Sequence, residues 1–210
     1  NVVVFPSPSS AIKMKILLKK RLVLASNSPR RIDLLKMAGY HFDIIPHTIE
    51  ESIPCEISPT ELASNLAFLK ASDVARKVDD AIVISADTIV VHKDNIFGKP
   101  RDTRDAKRIL MMLSGSEHDI ITAVCIIDMP SKKKLLRIDR TSIRMMNMTE
   151  DEIEIYVRTG EPMDKAGAYA VQGEGEKFIE KMDGNFSNAV GLPLETVHEM
   201  LNNFKMNANA

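Results

Sequence analysis

Leu22-Val23-Leu24-Ala25-Ser26-Asn27-Ser28-Pro29-Arg30-Arg31 runs from an apolar segment straight into a helix start. The four apolar residues read as the end of a buried strand, and Ile32, Leu35 and Ala38 then recur at helical spacing. Ser28 suits the N-cap and Pro29 the first helical position, where a missing N–H costs nothing. Two arginines follow in the first turn, where the helix dipole disfavours cations. Helix stability does not account for that placement. A polyanion bound at the strand-to-helix junction does, because backbone N–H groups and guanidinium forks both suit phosphate. The alternative is a pair of solvated surface charges.

The alternation of strand and helix continues along the chain. A first strand is expected over about 15–25 and a helix over 29–39, with Gly39 as its stop. Phe42 and Ile44 alternate in a short strand, and a loop with Glu50 and Glu51 follows. Ser58, Pro59 and Glu61 form a capping box that opens a helix to about Lys77, with Leu62, Leu66 and Leu69 as its buried stripe. Residues 81–85 read as a buried strand continued by 88–92, and Asp94-Asn95 as a turn. Asp102 and Asp105 open a helix with Ala106, Ile109, Leu110 and Leu113 inward. Residues 118–128 and 135–145 read as strands joined at a solvated hairpin tip, Lys132-Lys133-Lys134. Thr149 and Glu152 form a second capping box, with Ile153, Tyr156 and Val157 inward. Short strands are expected at 168–171 and 178–183, and a last helix from Pro193 with Leu194, Val197, Leu201 and Phe204 on one face. The pattern predicts an α/β fold, a mixed sheet flanked by helices, in two lobes around a cleft. Residues 15–205 would form a single catalytic domain, 1–14 a disordered extension and 206–210 a tail.

The 210 residues carry a net charge of −1, with 44% hydrophobic and 27% charged residues, an ordinary globular composition. No global basic field draws the chain to nucleic acid or an anionic membrane, so a basic cluster must be local and built for a small anion. No apolar run approaches the roughly 18 residues of a membrane span. Cys55 and Cys125 form no CxxC pair and read as free thiols in a reducing, cytoplasmic setting. Scattered histidines without HExxH give no zinc site.

Asp87 follows the apolar strand, in Ile84-Ser85-Ala86-Asp87-Thr88. A carboxylate at the end of a buried strand is costly unless it is paired or holds a cation, and strand ends are where α/β proteins place their sites. Capping a turn is the alternative. Asp87 with Glu50 could hold Mg²⁺, which takes hard oxygen ligands and commonly only one or two carboxylates plus phosphate oxygens. Lys99, between Gly98 and Pro100, is presented from a stiff loop that suits a phosphate contact or a plain exposed lysine. Lys70 reads as a helix-edge lysine with the reach to enter a cleft. Gln172 offers donor and acceptor for a base edge or ribose, whereas Tyr169 and Cys125 read as core. There is no GxxxxGK[ST], and no dinucleotide fingerprint.

In order and spacing, these segments resemble the Maf family of nucleotide pyrophosphatases over about 22–201. The matching pieces are Leu24-Ala25-Ser26-Asn27-Ser28-Pro29-Arg30-Arg31, Ala86-Asp87-Thr88, Gly98-Lys99-Pro100, Leu113-Ser114-Gly115, Glu161-Pro162-Met163-Asp164-Lys165-Ala166-Gly167-Ala168-Tyr169, Gln172-Gly173 and Val190-Gly191-Leu192-Pro193. The resemblance implies a fold similar to inosine triphosphate pyrophosphatases, a homodimer, and hydrolysis of a nucleoside triphosphate to monophosphate and pyrophosphate with Mg²⁺ or Mn²⁺. Metal-assisted attack of water on the α-phosphorus is the chemistry expected. Asp87, Glu50 and Lys99 are the expected catalytic residues, with Asp87 and Glu50 as metal ligands. Ser26, Arg30, Arg31, Lys70, Thr88 and Gln172 are the expected substrate-binding residues. Asp87-Thr88 with Ala168-Tyr169 and Gln172 is similar to the branch that acts on dTTP, UTP and modified pyrimidine nucleotides. The chain departs from the usual pattern at Asn27, Ser85, Ser116 and Ala170. The alternatives are a nucleotide-binding regulator of cell division with little turnover, and a purine-directed pyrophosphatase.

Overall fold

A computed structural model describes residues 20–50, 57–93 and 95–206. The extension expected over 1–14, the start of the strand read from 15, Glu51, Cys55, Asp94 and the tail past Met206 lie outside the described residues. Among those residues the order is β1 (Arg21–Leu24), α1 (Pro29–Met37), β2 (Asp43–Ile44), α2 (Pro59–Ala75), β3 (Ala81–His92), β4 (Asn95–Phe97), α3 (Thr103–Leu113), β5 (Glu117–Met129), β6 (Lys133–Met145), α4 (Glu150–Arg158), β7 (Ile179–Asp183), α5 (Phe186–Val190) and α6 (Leu194–Met206). The strands form a sheet in the order β2-β1-β3-β5-β6-β7, with β4 paired to β3. β1 is parallel to β2 and β3, whereas β4 is antiparallel to β3 and β7 to β6. The architecture is therefore α/β with a mixed sheet flanked by helices. The chain divides into two compact units, with boundaries inside β3, β5 and β6.

One unit comprises the described residues up to Asp87, 122–139 and those from Gly191 onward. Leu22, Val23 and Leu24 of β1 are all buried. That continuous apolar run is what a strand covered on both faces requires. The capping box at Ser58 and Glu61 forms as expected and starts α2. Its buried stripe, however, is Leu62, Ala63, Leu66, Ala67, Lys70, Ala71 and Val74, and Leu69 is 48% exposed. Positions 62, 66 and 70 are each four apart and share one face, so Lys70 is inside and Leu69 outside. Val197, Leu201 and Phe204 bury the inner face of α6 as expected. Lys133 and Lys134 at the hairpin are exposed. Their ammonium groups nonetheless lie over the Phe204 and Phe68 rings, at 5.4 and 4.7 Å, so this tip is not merely solvated.

The other unit comprises the described residues of 88–121 and 140–190. α3 buries Ala106, Ile109, Leu110 and Leu113, and α4 buries Ile153, Tyr156 and Val157, both as the periodicity predicts. The strand expected at 168–171 is absent. Gly167 and Ala168 take φ +75° and +59° in a 3-10 turn, and two successive left-handed residues are incompatible with an extended run. β4 and the five-residue α5 are too short to leave a periodic signal.

The loop after β2 is tied to α2 through Asp73. Its Oδ2 accepts from the Thr48 N–H at 2.9 Å, the Thr48 hydroxyl at 3.2 Å and Lys77 Nζ at 2.7 Å. The Lys77 bond, then the Thr48 N–H, hold this carboxyl down at about 2. A folded value below the unfolded one contributes stability that is complete above about pH 4 and is lost as pH falls toward about 2. Asp73→Asn is expected to lower the urea midpoint at neutral pH and to flatten the decline of stability across that acid window. Urea titrations of both proteins at a series of pH values check this.

Candidate functional site

Within the first unit, three neighbouring parallel strands send their carboxyl ends to the same edge. β1 pairs with β3 up to Leu24↔Ile84 and with β2 up to Leu24↔Ile44. The Ala25 N–H donates to Ile84 O at 2.7 Å and the Ile45 N–H to Leu24 O at 3.1 Å, closing the ladders at that edge. Beyond it come the loop at 25–28 from β1 and the start of α1 with Arg30 and Arg31, the loop carrying Glu50 from β2, and Asp87 on β3. This is where parallel α/β sheets take ligands. The sequence reading puts Asp87 at a strand end, but β3 continues through it to His92. What ends there is the parallel neighbour.

Ser28 holds the N-cap position of α1 but its side chain makes no cap bond, and the first turn has no acidic residue. Its N–H instead donates to Ser26 Oγ at 3.1 Å, folding the loop on itself. A helix start that carries Arg30 and Arg31 and no acid, with Ser28 not serving as its side-chain cap, is of the kind that suits an anion. Arg30 is half-buried in that turn. Arg31, expected to touch substrate, donates Nε to Gly191 O at 2.8 Å and Nη1 to Ser26 Oγ at 3.5 Å. These bonds brace the loop from behind.

Lys70 Nζ donates to Asp87 Oδ1 at 2.6 Å, and the two side chains are only 4% and 7% exposed. Two residues back on the same face of β3, Ser85 Oγ donates to Ala67 O at 2.5 Å. Ala67 and Lys70 are one helical turn apart, so α2 lies on β3 with two matched polar contacts. Lys70, read as a helix-edge lysine, is inside the apolar stripe instead. Replacing a buried ion pair by apolar groups of equal volume is commonly neutral or stabilising by about 1–4 kcal/mol. Stability alone therefore gives no reason for this pair, and strongly placed buried charges gather at functional sites. Ser85 was visible in the sequence only as a departure from a family pattern. The signal that could have paired it with α2 is its two-residue spacing from Asp87.

Glu50 is exposed and has no hydrogen-bond or ion-pair partner among the described residues. No group of three or more His, Cys, Asp or Glu among the described residues could hold a metal by itself. Cys125 is fully buried, and burial pushes its thiol up to about 12, which removes it as a nucleophile.

Thr88, Lys99 and Gln172 belong to the second unit. Lys99 and Gln172 are exposed and Thr88 is half-buried. The loop carrying Lys99 is pinned by the Gly167 N–H, which donates to Gly98 O at 3.1 Å. Position 167 must be glycine: φ is +75°, and a Cβ would meet Val90 Cγ2 at 2.8 Å. Tyr169 is core as expected, its hydroxyl 2.7 Å from His118 Nε2. Burial lowers His118 to about 4, so it is neutral near pH 7.

A family model described as "Maf-like protein" matches residues 21–204. A dTTP/UTP pyrophosphatase of Dictyoglomus thermophilum is 45% identical over 186 residues, covering 88% of this chain and 96% of that protein. The dTTP/UTP pyrophosphatase of Alkaliphilus metalliredigens is 46% identical over 183 residues, covering 87% and 95%. That of Bdellovibrio bacteriovorus is 43% identical over 192 residues, covering 89% and 100%.

If Lys70 and Asp87 are one electrostatic unit, breaking it from either side must cost more than removing both. Lys70→Met is expected to destabilise by about 3–5 kcal/mol, because it strands a buried carboxylate. The double variant Lys70→Met/Asp87→Asn should lose at least about 1 kcal/mol less than the two single losses added together. Urea unfolding of all four proteins checks this, and strictly additive losses would show that the pair is not coupled.

Proposed function

The chain belongs to the Maf family, and from that premise we propose that it is a nucleoside triphosphate pyrophosphatase acting on dTTP, UTP and modified pyrimidine nucleotides. The observation that carries the reading is the buried Lys70–Asp87 pair at the same sheet edge as the start of α1, whose first turn holds Arg30 and no acid. A paired carboxylate can orient water or hold a cation, and a helix start can take phosphate oxygens, both of which serve hydrolysis of a phosphoric anhydride. The names of the three relatives support the pyrimidine choice.

In this reading the first-turn N–H groups of α1 and the Arg30 guanidinium take phosphate oxygens, while Ser26 and Arg31 hold the loop in shape. Lys70 fixes Asp87 through Oδ1, which leaves Oδ2 to orient the attacking water and draw its proton. The water oxygen bonds to the α-phosphorus as the bond to the bridging oxygen breaks, and pyrophosphate leaves. Where Asp87 serves as a metal ligand instead of a base, its Oδ2 and Glu50 supply hard oxygens of the kind that Mg²⁺ or Mn²⁺ takes alongside substrate phosphates. Such an ion, when bound, would add Lewis-acid charge on the phosphoryl oxygens. Lys99, Thr88 and Gln172 enter the reading through the family's motifs: Lys99 to neutralise phosphate charge, Thr88 and Gln172 as substrate contacts. A homodimer in the cytoplasm completes the proposal.

The test is pyrophosphate release from dTTP, UTP, CTP, GTP, 7-methyl-GTP and ITP with Mg²⁺ or Mn²⁺, and with EDTA as control. Metal-dependent release favouring dTTP and UTP is expected. Asp87→Asn, normalised to its folded fraction because Lys70 loses its partner, should lose at least about a hundredfold in kcat, on the scale of general base removal. Preference for the purine nucleotides would transfer the chain to the purine-directed reading. No turnover from folded protein would leave a binding regulator.

A further inference from the structure

Gln172 is exposed in the middle of a segment, residues 170–175, that has no regular hydrogen-bonded structure before Glu174. A single carboxylate ties both ends of that segment. The Ala170 N–H donates to the Tyr156 hydroxyl at 3.0 Å, and this hydroxyl donates to Glu161 Oε2 at 2.7 Å. The Gly175 N–H donates to the same oxygen at 2.9 Å, and the Glu174 N–H donates to Oε1 at 3.1 Å. Hydrogen bonds to an ionised carboxylate are roughly twice as strong as neutral ones.

The fit leaves no slack. Gly173 has φ +98°, and a Cβ there would collide with the Glu161 carboxylate. A Cβ on Gly175 would meet Ala170 O and the Tyr156 hydroxyl, both at 2.5 Å. The anchoring groups are themselves held. Tyr156 projects from the buried face of α4 with no exposure, its ring against Phe178 at 5.4 Å. Burial pushes the Tyr156 hydroxyl far above its usual range, with the Glu161 bond adding to the rise, so it stays a donor. Glu161 is fixed by its own backbone: its N–H donates to Thr159 Oγ1 at 3.1 Å and its carbonyl accepts from Lys165 Nζ at 3.0 Å.

We propose that Glu161 and Tyr156 are positioning residues that lock the 170–175 segment in one conformation and thereby set recognition of the nucleotide base by Gln172. The inference rests on the reading of Gln172 as a substrate contact. Preorganising a contact strengthens binding by removing the entropy of ordering it, so the effect belongs in KM and base preference rather than in kcat.

Two kinds of measurement separate the clamp from the reading beneath it. In Glu161→Gln, which turns an acceptor into a donor facing N–H groups, and in the volume-conserving Tyr156→Phe, hydrogen exchange is read at residues 170, 174 and 175. Exchange there is expected to quicken at least about tenfold while the sheet keeps its protection. The KM for dTTP should rise about tenfold and the preference for dTTP over CTP fall by a similar factor, with kcat of the folded enzyme within about threefold of wild type. Gln172→Ala should lose the same preference with the clamp amides still protected. Wild-type protection in both clamp variants overturns the clamp. Faster exchange with unchanged KM and preference, where Gln172→Ala alters them, overturns the positioning role. If Gln172→Ala alters neither, the reading of Gln172 fails, and the inference about base recognition fails with it even where exchange quickens.

Discussion

Much of this molecule's design follows from one buried charge pair. Lys70 and Asp87 are each almost wholly out of water, 2.6 Å apart, and removing one partner of such a pair leaves the other buried without its counter-charge. That constraint governs the packing around them. α2 must present a lysine where its stripe calls for an apolar residue, so Ala63, Ala67 and Ala71 keep the rest of that face small enough to lie close on β3. Ser85 adds a second polar contact in the same register. β1 ends at the pair Leu24↔Ile84, so that the loop at 25–28 leaves the sheet at that edge.

At that sheet edge, what has been withheld matters as much as what is present. Ser28 does not cap α1, no acid occupies its first turn, and Arg31 spends its bonds on Ser26 and Gly191. The second unit uses the opposite device. Its exposed polar residues are carried on irregular backbone that is heavily tied down: Gly167 pins the Lys99 loop, and Glu161 gathers the backbone of the segment bearing Gln172. Left-handed glycines at 167 and 173 make those close approaches feasible. Chemistry placed on loops needs such support, since a contact offered by a mobile loop must be ordered at each binding event.

Sequence alone reached the alternating elements, both capping boxes, the inner faces of α3, α4 and α6, and the family. Each of these is encoded locally, in spacing or in a short motif. It did not reach the direction of Lys70, because a lysine inside an apolar stripe looks like a lysine at its edge until a partner stands opposite. It took 168–171 for a strand because small apolar residues there look extended, whereas the turn at Gly167 is accompanied by a bond to Gly98 and close contact with Val90, both from distant parts of the chain. It gave no hint that Arg31 reaches back to Gly191, because a bond across 160 positions leaves no local mark.

The amino-acid order therefore determined which residues could carry charge, where helices start, and that an anion is expected at the end of the first strand. Those are properties of residues near one another along the chain, where caps, periodicity and charge act over a few positions. Only the tertiary structure decided which charges are spent on internal partners. Lys70 finds Asp87 across 17 positions, Arg31 finds Gly191 across 160, and Glu161 finds Gly175 across 14. Burial and pairing depend on what packs opposite, and that information exists only once the chain has folded.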